Sequence, residues 1–353
     1  MSRIISPRDP ALRVMGRIDD GNPDRPVWVF PYTQASFRFT GTTLSLTLIN
    51  HHDYGDSHIG VIVDGMPASI RIPVNERPIT LTLASHLPDI EHTATIYKRQ
   101  DGEHYLELLW LAVDDDAQVL PPSDPEPTRR IEIYGDSVSA GERNEAVAYV
   151  GKADPDVDLS ACSNSWLSYG AITARKLGAQ LHDIAQGGAS LLDGIGWFHA
   201  PNYIGMEHIW DRIEYNPSLG PSRPWDFSRY TPHVVIVAIG QNDSHPHDFM
   251  AEDYDGAEAR HWRARYVDFL HALRERYPQA LIICTTTVLQ HDHSWDRAIG
   301  EAVATVNDAH TIHFLYSRNG AATPGHPRVQ EHEEMAEELT DLIRSYGDDI
   351  WSD

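Results

Sequence analysis

Four short stretches in the second half of the sequence hold residues that together suit acyl transfer. Gly135-Asp136-Ser137 offers a hydroxyl nucleophile behind a glycine that permits a tight turn. Gly187-Gly188 offers backbone that a ligand can approach without meeting a side chain. Gly240-Gln241-Asn242-Asp243 offers an amide able to donate a hydrogen bond. His326, in Pro324-Gly325-His326-Pro327, offers a base. A serine hydroxyl is a weak nucleophile until a neighbouring base takes its proton. The tetrahedral intermediate it forms carries an oxyanion, and losing one preorganised donor to that oxyanion typically costs about 100- to 1000-fold in rate. Ser137 as nucleophile, His326 as base, and the N–H groups of Ser137 and Gly188 with the Asn242 amide fill every role. Each stretch alone reads as an ordinary turn, a cap, or one histidine among 20. Their conjunction, each at the end of a strand or the start of a helix, points to a site.

The neighbouring groups have plainer readings. Asp136 reads as a side-chain acceptor that holds its turn, and Asp243 likewise. His245-Pro246-His247 and His291-Asp292-His293 lack a third ligand at zinc spacing, so neither metal nor cofactor is expected. Trp197, Phe198, Trp210 and Trp225 lie in a long Gly- and Pro-rich stretch, 194–230. Insertions near strand ends shape pockets. Trp197 and Trp225 are therefore the candidates for stacking on a substrate ring.

Those residues need a scaffold, and the chain changes grammar midway. From about 25 to 115, apolar residues alternate: Leu44, Leu46, Leu48; Val61, Val63; Ile70, Ile72; Leu81, Leu83; Leu106, Leu108, Trp110. This period of two marks half-buried strands. With no helical stretch between them, an antiparallel sandwich follows. Residues 121–127, Pro-Pro-Ser-Asp-Pro-Glu-Pro, cannot enter a sheet or helix and form a linker. A β-domain over 1–125 and a second domain over 126–353 result. In the second, short apolar runs at 131–134, 234–239, 281–284 and 312–315 alternate with helical spacing at 164–177, 262–277, 298–306 and 329–343. That alternation predicts an α/β domain, a parallel sheet with helices on both faces.

Composition narrows the partners. The 353 residues are 41% hydrophobic and 23% charged, ordinary for globular domains. Lys plus Arg is 28 and Asp plus Glu is 52, a net charge of −24. Such a chain repels phosphate backbones and anionic membrane surfaces, so neither nucleic acid nor membrane is an expected partner. Neutral substrates such as sugars and esters fit. Two cysteines, Cys162 and Cys284, exclude a disulfide-stapled scaffold and leave one bridge open. No signal-like apolar run opens the chain, and no stretch nears the ~18 apolar residues of a membrane span. Taken as given, the chain reads as soluble and cytoplasmic; a secreted or periplasmic protein without its leader would read the same.

Gly135-Asp136-Ser137, Gly188, Gly240-x-Asn242-Asp243 and the late His326 resemble the four blocks of the SGNH (GDSL-type) hydrolases. Residues 225–232, Trp-Asp-Phe-Ser-Arg-Tyr-Thr-Pro, narrow the likeness, as do Gly16-Arg17, residues 37–42 and residues 61–65. These phrases resemble carbohydrate esterase family 2, over nearly the whole chain. The resemblance implies an SGNH-type three-layer α/β/α domain preceded by an all-β jelly-roll sandwich. It implies a serine esterase that removes acetyl groups from carbohydrates, acetyl xylan esterases among them, at the primary 6-position of hexose units. It carries Ser137 over as nucleophile, His326 as base, and Gly188, preferred to Gly187, with Asn242 as oxyanion donors.

One position departs from the family pattern. SGNH enzymes usually carry an Asp three residues before the histidine, and here that residue is Thr323. A Ser-His dyad is therefore expected, with a main-chain carbonyl near Thr323 or a remote acid orienting His326. A carboxylate within ~3.2 Å of His326 Nδ1 would contradict the dyad. Two rival readings stand beside the acetyl esterase. One is a general SGNH esterase or lipase for short acyl esters. The other is a carbohydrate-binding relative with a dead site.

Overall fold

The computed structural model describes residues 2–74 and 76–352 and divides the chain into two compact units. The first contains residues 2–126. Its strands form two antiparallel sheets of six. One runs Ile18–Asp19, Val27–Trp28, His104–Asp114, Leu44–His52, Ile79–Ala84, with Ser2–Ile5 also paired to His104–Asp114. The other runs Val119–Leu120, Gln34–Gly41, Ile90–Lys98, His58–Val63, Met66–Arg71, with Arg13–Met15 paired to Gln34–Gly41. Leu44, Leu46, Leu48 and Leu106 of one sheet share a core with Phe37, Phe39, Val61 and Ile96 of the other. This is the sandwich that the alternation predicts. Asp64-Gly65 closes the hairpin into Met66–Arg71 with φ of 49° and 79°, the positive values that a tight two-residue turn demands.

Trp110 departs from the expected alternation. The pairing of His104–Asp114 with Leu44–His52 shifts register between Leu108 and Trp110. This β-bulge sends Trp110 outward, 37% exposed, and turns Leu111 and Val113 into the core. Leu109, the residue skipped in the pairing, marks the bulge.

Two segments from later in the chain, Asp158–Ala161 and Ile213–Arg223, also belong to the first unit. Tyr105 Oη accepts from the backbone N–H groups of Tyr215 and Asn216, at 2.9 and 2.7 Å. The Tyr215 ring stacks on Phe30 at 5.2 Å, and Gln100 Nε2 donates to Ser160 O at 3.1 Å.

The second unit is built on five parallel strands: β1 (Arg129–Gly135), β2 (Ala179–Ala185), β3 (Val234–Ala238), β4 (Leu281–Thr285) and β5 (Thr311–His313). Their order is β2-β1-β3-β4-β5. Every residue of β3 and β4 is buried, as expected for strands covered on both faces. The main helices are α1 (Tyr169–Leu177), α2 (Ala257–Arg276), α3 (His293–Val306) and α4 (Val329–Ser345). Helix α1 packs on α4 and α2 on α3, completing the three layers. Helix α1 starts later than its periodicity suggests, because Ser168 caps it through a bond from Ala171 N, while Asn164 caps a separate 3₁₀ turn, Ser165–Leu167. No helix of the described residues is long and apolar enough to cross a membrane.

Candidate active site

In this strand order, β1 and β3 are neighbours whose following chain segments diverge. Ligands bind at such a switch point, beyond the carboxyl ends of the strands. Gly135, Ala185 and Ala238 are level at that end of the sheet. Ser137 comes two residues after β1, Gly188 three after β2, and Asn242 four after β3. Topology alone therefore gathers the first three sequence blocks.

Local chemistry fixes the candidate nucleophile, Ser137. A Cβ on Gly135 would lie 2.1 Å from Ser139 Oγ and 2.4 Å from its Cβ, so the end of β1 has no room for a side chain here. Asp136 caps the short helix Ser137–Ala140 by accepting from Val138 N at 3.0 Å. Gly141, at φ 74°, ends that helix. Ser137 is 5% exposed. Among the described residues, neither its backbone N–H nor that of Gly188 has a hydrogen-bond partner. Two unengaged donors at the switch point suit a developing oxyanion.

Gly188 also must be glycine. Its φ is 77°, and a Cβ would lie 2.9 Å from both Phe198 N and Trp197 Cβ. Its carbonyl accepts from Trp197 N at 2.8 Å and Phe198 N at 3.2 Å. Asn242 Nδ2 donates to Ala189 O at 3.0 Å and to Asp136 Oδ2 at 3.3 Å. The amide thus joins the residue after Gly188 to the residue before Ser137. Its longer bond, to Asp136, is the one that an oxyanion can share. Asp243 supports this from below. Its Oδ1 accepts from Leu191 N at 2.8 Å and Trp262 Nε1 at 2.6 Å. Burial pushes the carboxyl of Asp136 up to about 6 and that of Asp243 up to about 7.

At His326 the structure replaces the dyad with the remote acid, the second of the two expected orienters. Asp154 Oδ2 lies 2.5 Å from Nδ1 and also accepts from His326 N at 3.2 Å. No carbonyl near Thr323 takes this role, because Asp154 already occupies Nδ1; Thr323 O instead accepts from Gln290 N at 3.0 Å. The acid comes from the loop after the short Ser137 helix instead of from the histidine turn. Arg328 Nη2 pairs with the other oxygen, Oδ1. Burial works against the Asp154 charge, but the bonds from His326 and Arg328 outweigh it and hold the carboxyl well below the usual carboxylate range. It is therefore an anion at neutral pH. An ionised carboxylate accepts only, so Nδ1 carries hydrogen and Nε2 of a neutral ring is left as the base.

Glu142 ties this group to Ser137. Its N–H donates to Ser137 O at 2.9 Å, and its Oε2 is 3.8 Å from His326 Nε2. Ser137 Oγ and His326 Nε2 are not hydrogen-bonded to each other here; such bonds commonly tighten only when substrate is bound.

The two aromatic candidates separate. Trp197 is 60% exposed, lies beside Gly188, and stacks on His245 at 3.5 Å. Trp225 is 6% exposed and packs edge-on to His182, so it has no face to offer a ring. The expectation for Trp225 is corrected by its burial. His245 Nδ1 bonds Gly196 O, and His291 bonds Leu289 O and Asp296. Among the described residues, no group of three His, Cys, Asp or Glu is placed to hold a metal ion. Cys162 and Cys284 are both free.

Asp154, Glu142 and Arg328 escape sequence reasoning. Asp154 is 172 positions from His326. The nearest local signal is Gly325, a glycine beside the histidine where no positive φ calls for one.

Comparison with known proteins agrees with this two-unit fold. Residues 14–122 match the family model for the carbohydrate esterase 2 N-terminal domain, and residues 133–348 match that of the GDSL-like lipase/acylhydrolase family. The chain is 27% identical over 350 residues to the acetylxylan esterase / glucomannan deacetylase of Cellvibrio japonicus, covering 98% of this chain and 91% of that protein. It is 28% identical over 347 residues to the cellulase/esterase CelE of Acetivibrio thermocellus, covering 96% of this chain and 40% of that protein. It thus spans less than half the length of CelE. It also superposes on a family two carbohydrate esterase from Clostridium thermocellum solved with cellohexaose. There the TM-score is 0.77 at 26% identity, over 95% of this chain and 98% of that one. The chain belongs to the GDSL-like lipase/acylhydrolase family and carries the N-terminal domain of carbohydrate esterase family 2.

Proposed function

We propose that the protein is a carbohydrate O-acetyl esterase working through Ser137, His326 and Asp154. The observation that carries this reading is the Asp154–His326 pair at 2.5 Å, in the same unit as a serine flanked by two unengaged N–H groups. A carboxylate on Nδ1 leaves Nε2 free to act as base.

His326 Nε2 takes the Ser137 hydroxyl proton as Oγ bonds to the acetyl carbon. The carbonyl electrons move onto oxygen, where the N–H groups of Ser137 and Gly188 and the Asn242 amide receive the charge. Collapse breaks the bond to the sugar oxygen, which leaves with the proton from Nε2. Water then gives a proton to Nε2 and attacks the acetyl-serine. Acetate departs, and Ser137 Oγ recovers its proton.

The substrate is an acetylated poly- or oligosaccharide, cleaved at the 6-position of hexose units. A relative named for acetylxylan and glucomannan and a neighbour solved with cellohexaose support the polymer class. The 6-position rests on the family resemblance. Exposed Trp197, beside Gly188, offers a flat face to a sugar ring. The test compares acetate release from 6-O-acetyl-glucose, from its 2- and 3-O-acetyl isomers, and butyrate release from 4-nitrophenyl butyrate. Preference for the 6-O ester is expected. Preference for another acetyl position would move the site on the sugar. Butyrate cleavage with no sugar activity would make the protein a general esterase.

A further inference from the structure

We propose that Gly325 and Arg328 are positioning residues that dock the loop carrying Asp154 against the histidine turn. This rests on the catalytic reading of Asp154 above.

The loop has little of its own to hold it. No helix or strand runs through residues 150–159. Its backbone bonds are local, Lys152 N to Tyr149 O at 3.1 Å and Val157 N to Pro155 O at 2.9 Å. What fixes Asp154 comes from the other side of the contact. Gly325 has no positive φ, so its backbone does not require glycine. The space does. A Cβ there would lie 2.6 Å from Lys152 O and 2.9 Å from Asp154 N, and backbone atoms do not yield at such distances. The missing side chain is the slot into which the loop fits.

Arg328 supplies the charge. Its guanidinium is buried, 1% exposed, and pairs through Nη2 with Asp154 Oδ1 and through Nη1 with Arg143 O at 3.2 Å. A buried cation without a counter-ion is costly, so Arg328 needs the Asp154 carboxylate in its own right. Holding Oδ1 also sets which oxygen faces the ring. Arg143 Nη1, 3.3 Å from Oδ2, adds a weaker contact. Arg328 immediately precedes α4, where its N–H bonds Glu331 Oε2 at 2.8 Å, so the dock stands on a fixed helix end. The remote acid that replaces an Asp at position 323 is thus accounted for by two residues that flank the histidine.

The test uses the full chain with Gly325→Ala, Arg328→Lys, Arg328→Met and Asp154→Asn. Two readouts are taken: steady-state kinetics on an acetyl ester, and the downfield proton signal of a carboxylate-bonded imidazole. Gly325→Ala should lower kcat by about 10- to 100-fold, the scale of a misplacement near 1 Å, with KM within about twofold. It should also lose the proton signal. Arg328→Met should do the same, and Arg328→Lys should keep the signal. If Arg328→Met fails to fold, Gly325→Ala decides, since it removes no charge or hydrogen bond. Adding Gly325→Ala to Asp154→Asn should cost nothing further. A wild-type signal and kcat in Gly325→Ala would overturn the proposal, as would a further loss in the double variant. If Gly325→Ala loses the signal but Asp154→Asn keeps full activity, positioning stands and the catalytic reading of Asp154 falls.

Discussion

At His326 the orienting carboxylate is reached across 172 positions of sequence, and the bond it makes is specific to one side of the ring. Replacing Asp154 with Asn tests that specificity. Arg328 would hold the amide oxygen, leaving the NH₂ group against Nδ1. The ring would then carry its hydrogen on Nε2, the wrong tautomer for a base. We expect kcat to fall by about 100- to 10,000-fold with KM little changed. Asn242→Ala should cost about 100-fold in kcat, also with little effect on KM. Gly188→Ala meets both a positive φ and a clash at 2.9 Å, so it should lose activity and about 1–3 kcal/mol of stability in a thermal melt. Ser137, Gly188, Asn242 and His326 stand out as candidates in the sequence because each lies near the end of a secondary element with a distinctive neighbour. Asp154 does not, because nothing in a loop sequence records what packs against it. Trp225 misled because an indole's burial depends on tertiary packing that its local sequence does not encode.

Among the elements, strand periodicity located the sandwich, and the place where it failed is where the fold departs from regularity. Leu109 and Trp110 are adjacent apolar residues because a bulge lies between two in-register halves of one strand. The blocks after β1 and β3 carry buried carboxylates, and these give the unit a pH dependence. Asp243 is pushed up to about 7 by burial, whereas in the unfolded chain it titrates in the usual carboxylate range. Between about 4 and about 7 the unfolded chain has lost this proton and the folded one keeps it. Stability therefore falls as pH rises through that window, and the full penalty is present above it. Asn in its place still accepts from Leu191 N and Trp262 Nε1 without ionising. The stability of Asp243→Asn relative to wild type should rise across this window by about 2–4 kcal/mol, read from denaturant melts at successive pH values. A difference that does not change with pH would show Asp243 ionised in the folded protein.

Across the whole molecule, the proline-rich stretch at 121–127 was visible as a break in secondary structure. The return of Ile213–Arg223 to the first unit was not, because it depends on tertiary contacts that no local pattern records, among them the Tyr105 hydroxyl on two backbone donors, the Tyr215–Phe30 stack and the bonds of Asn216 to Asp53 and Gly102. Tyr105→Phe strands both buried N–H groups and should destabilise the protein by about 2–3 kcal/mol in a thermal melt. The order of blocks in the second unit told more about function than any tripeptide, since a parallel sheet brings successive strand ends together. The proposed activity depends first on Ser137. Acetate release from 6-O-acetyl-glucose should be readily measured for the wild-type chain and should fall to background in Ser137→Ala, with the variant's melting temperature unchanged. Equal acetate release by the two proteins would contradict it.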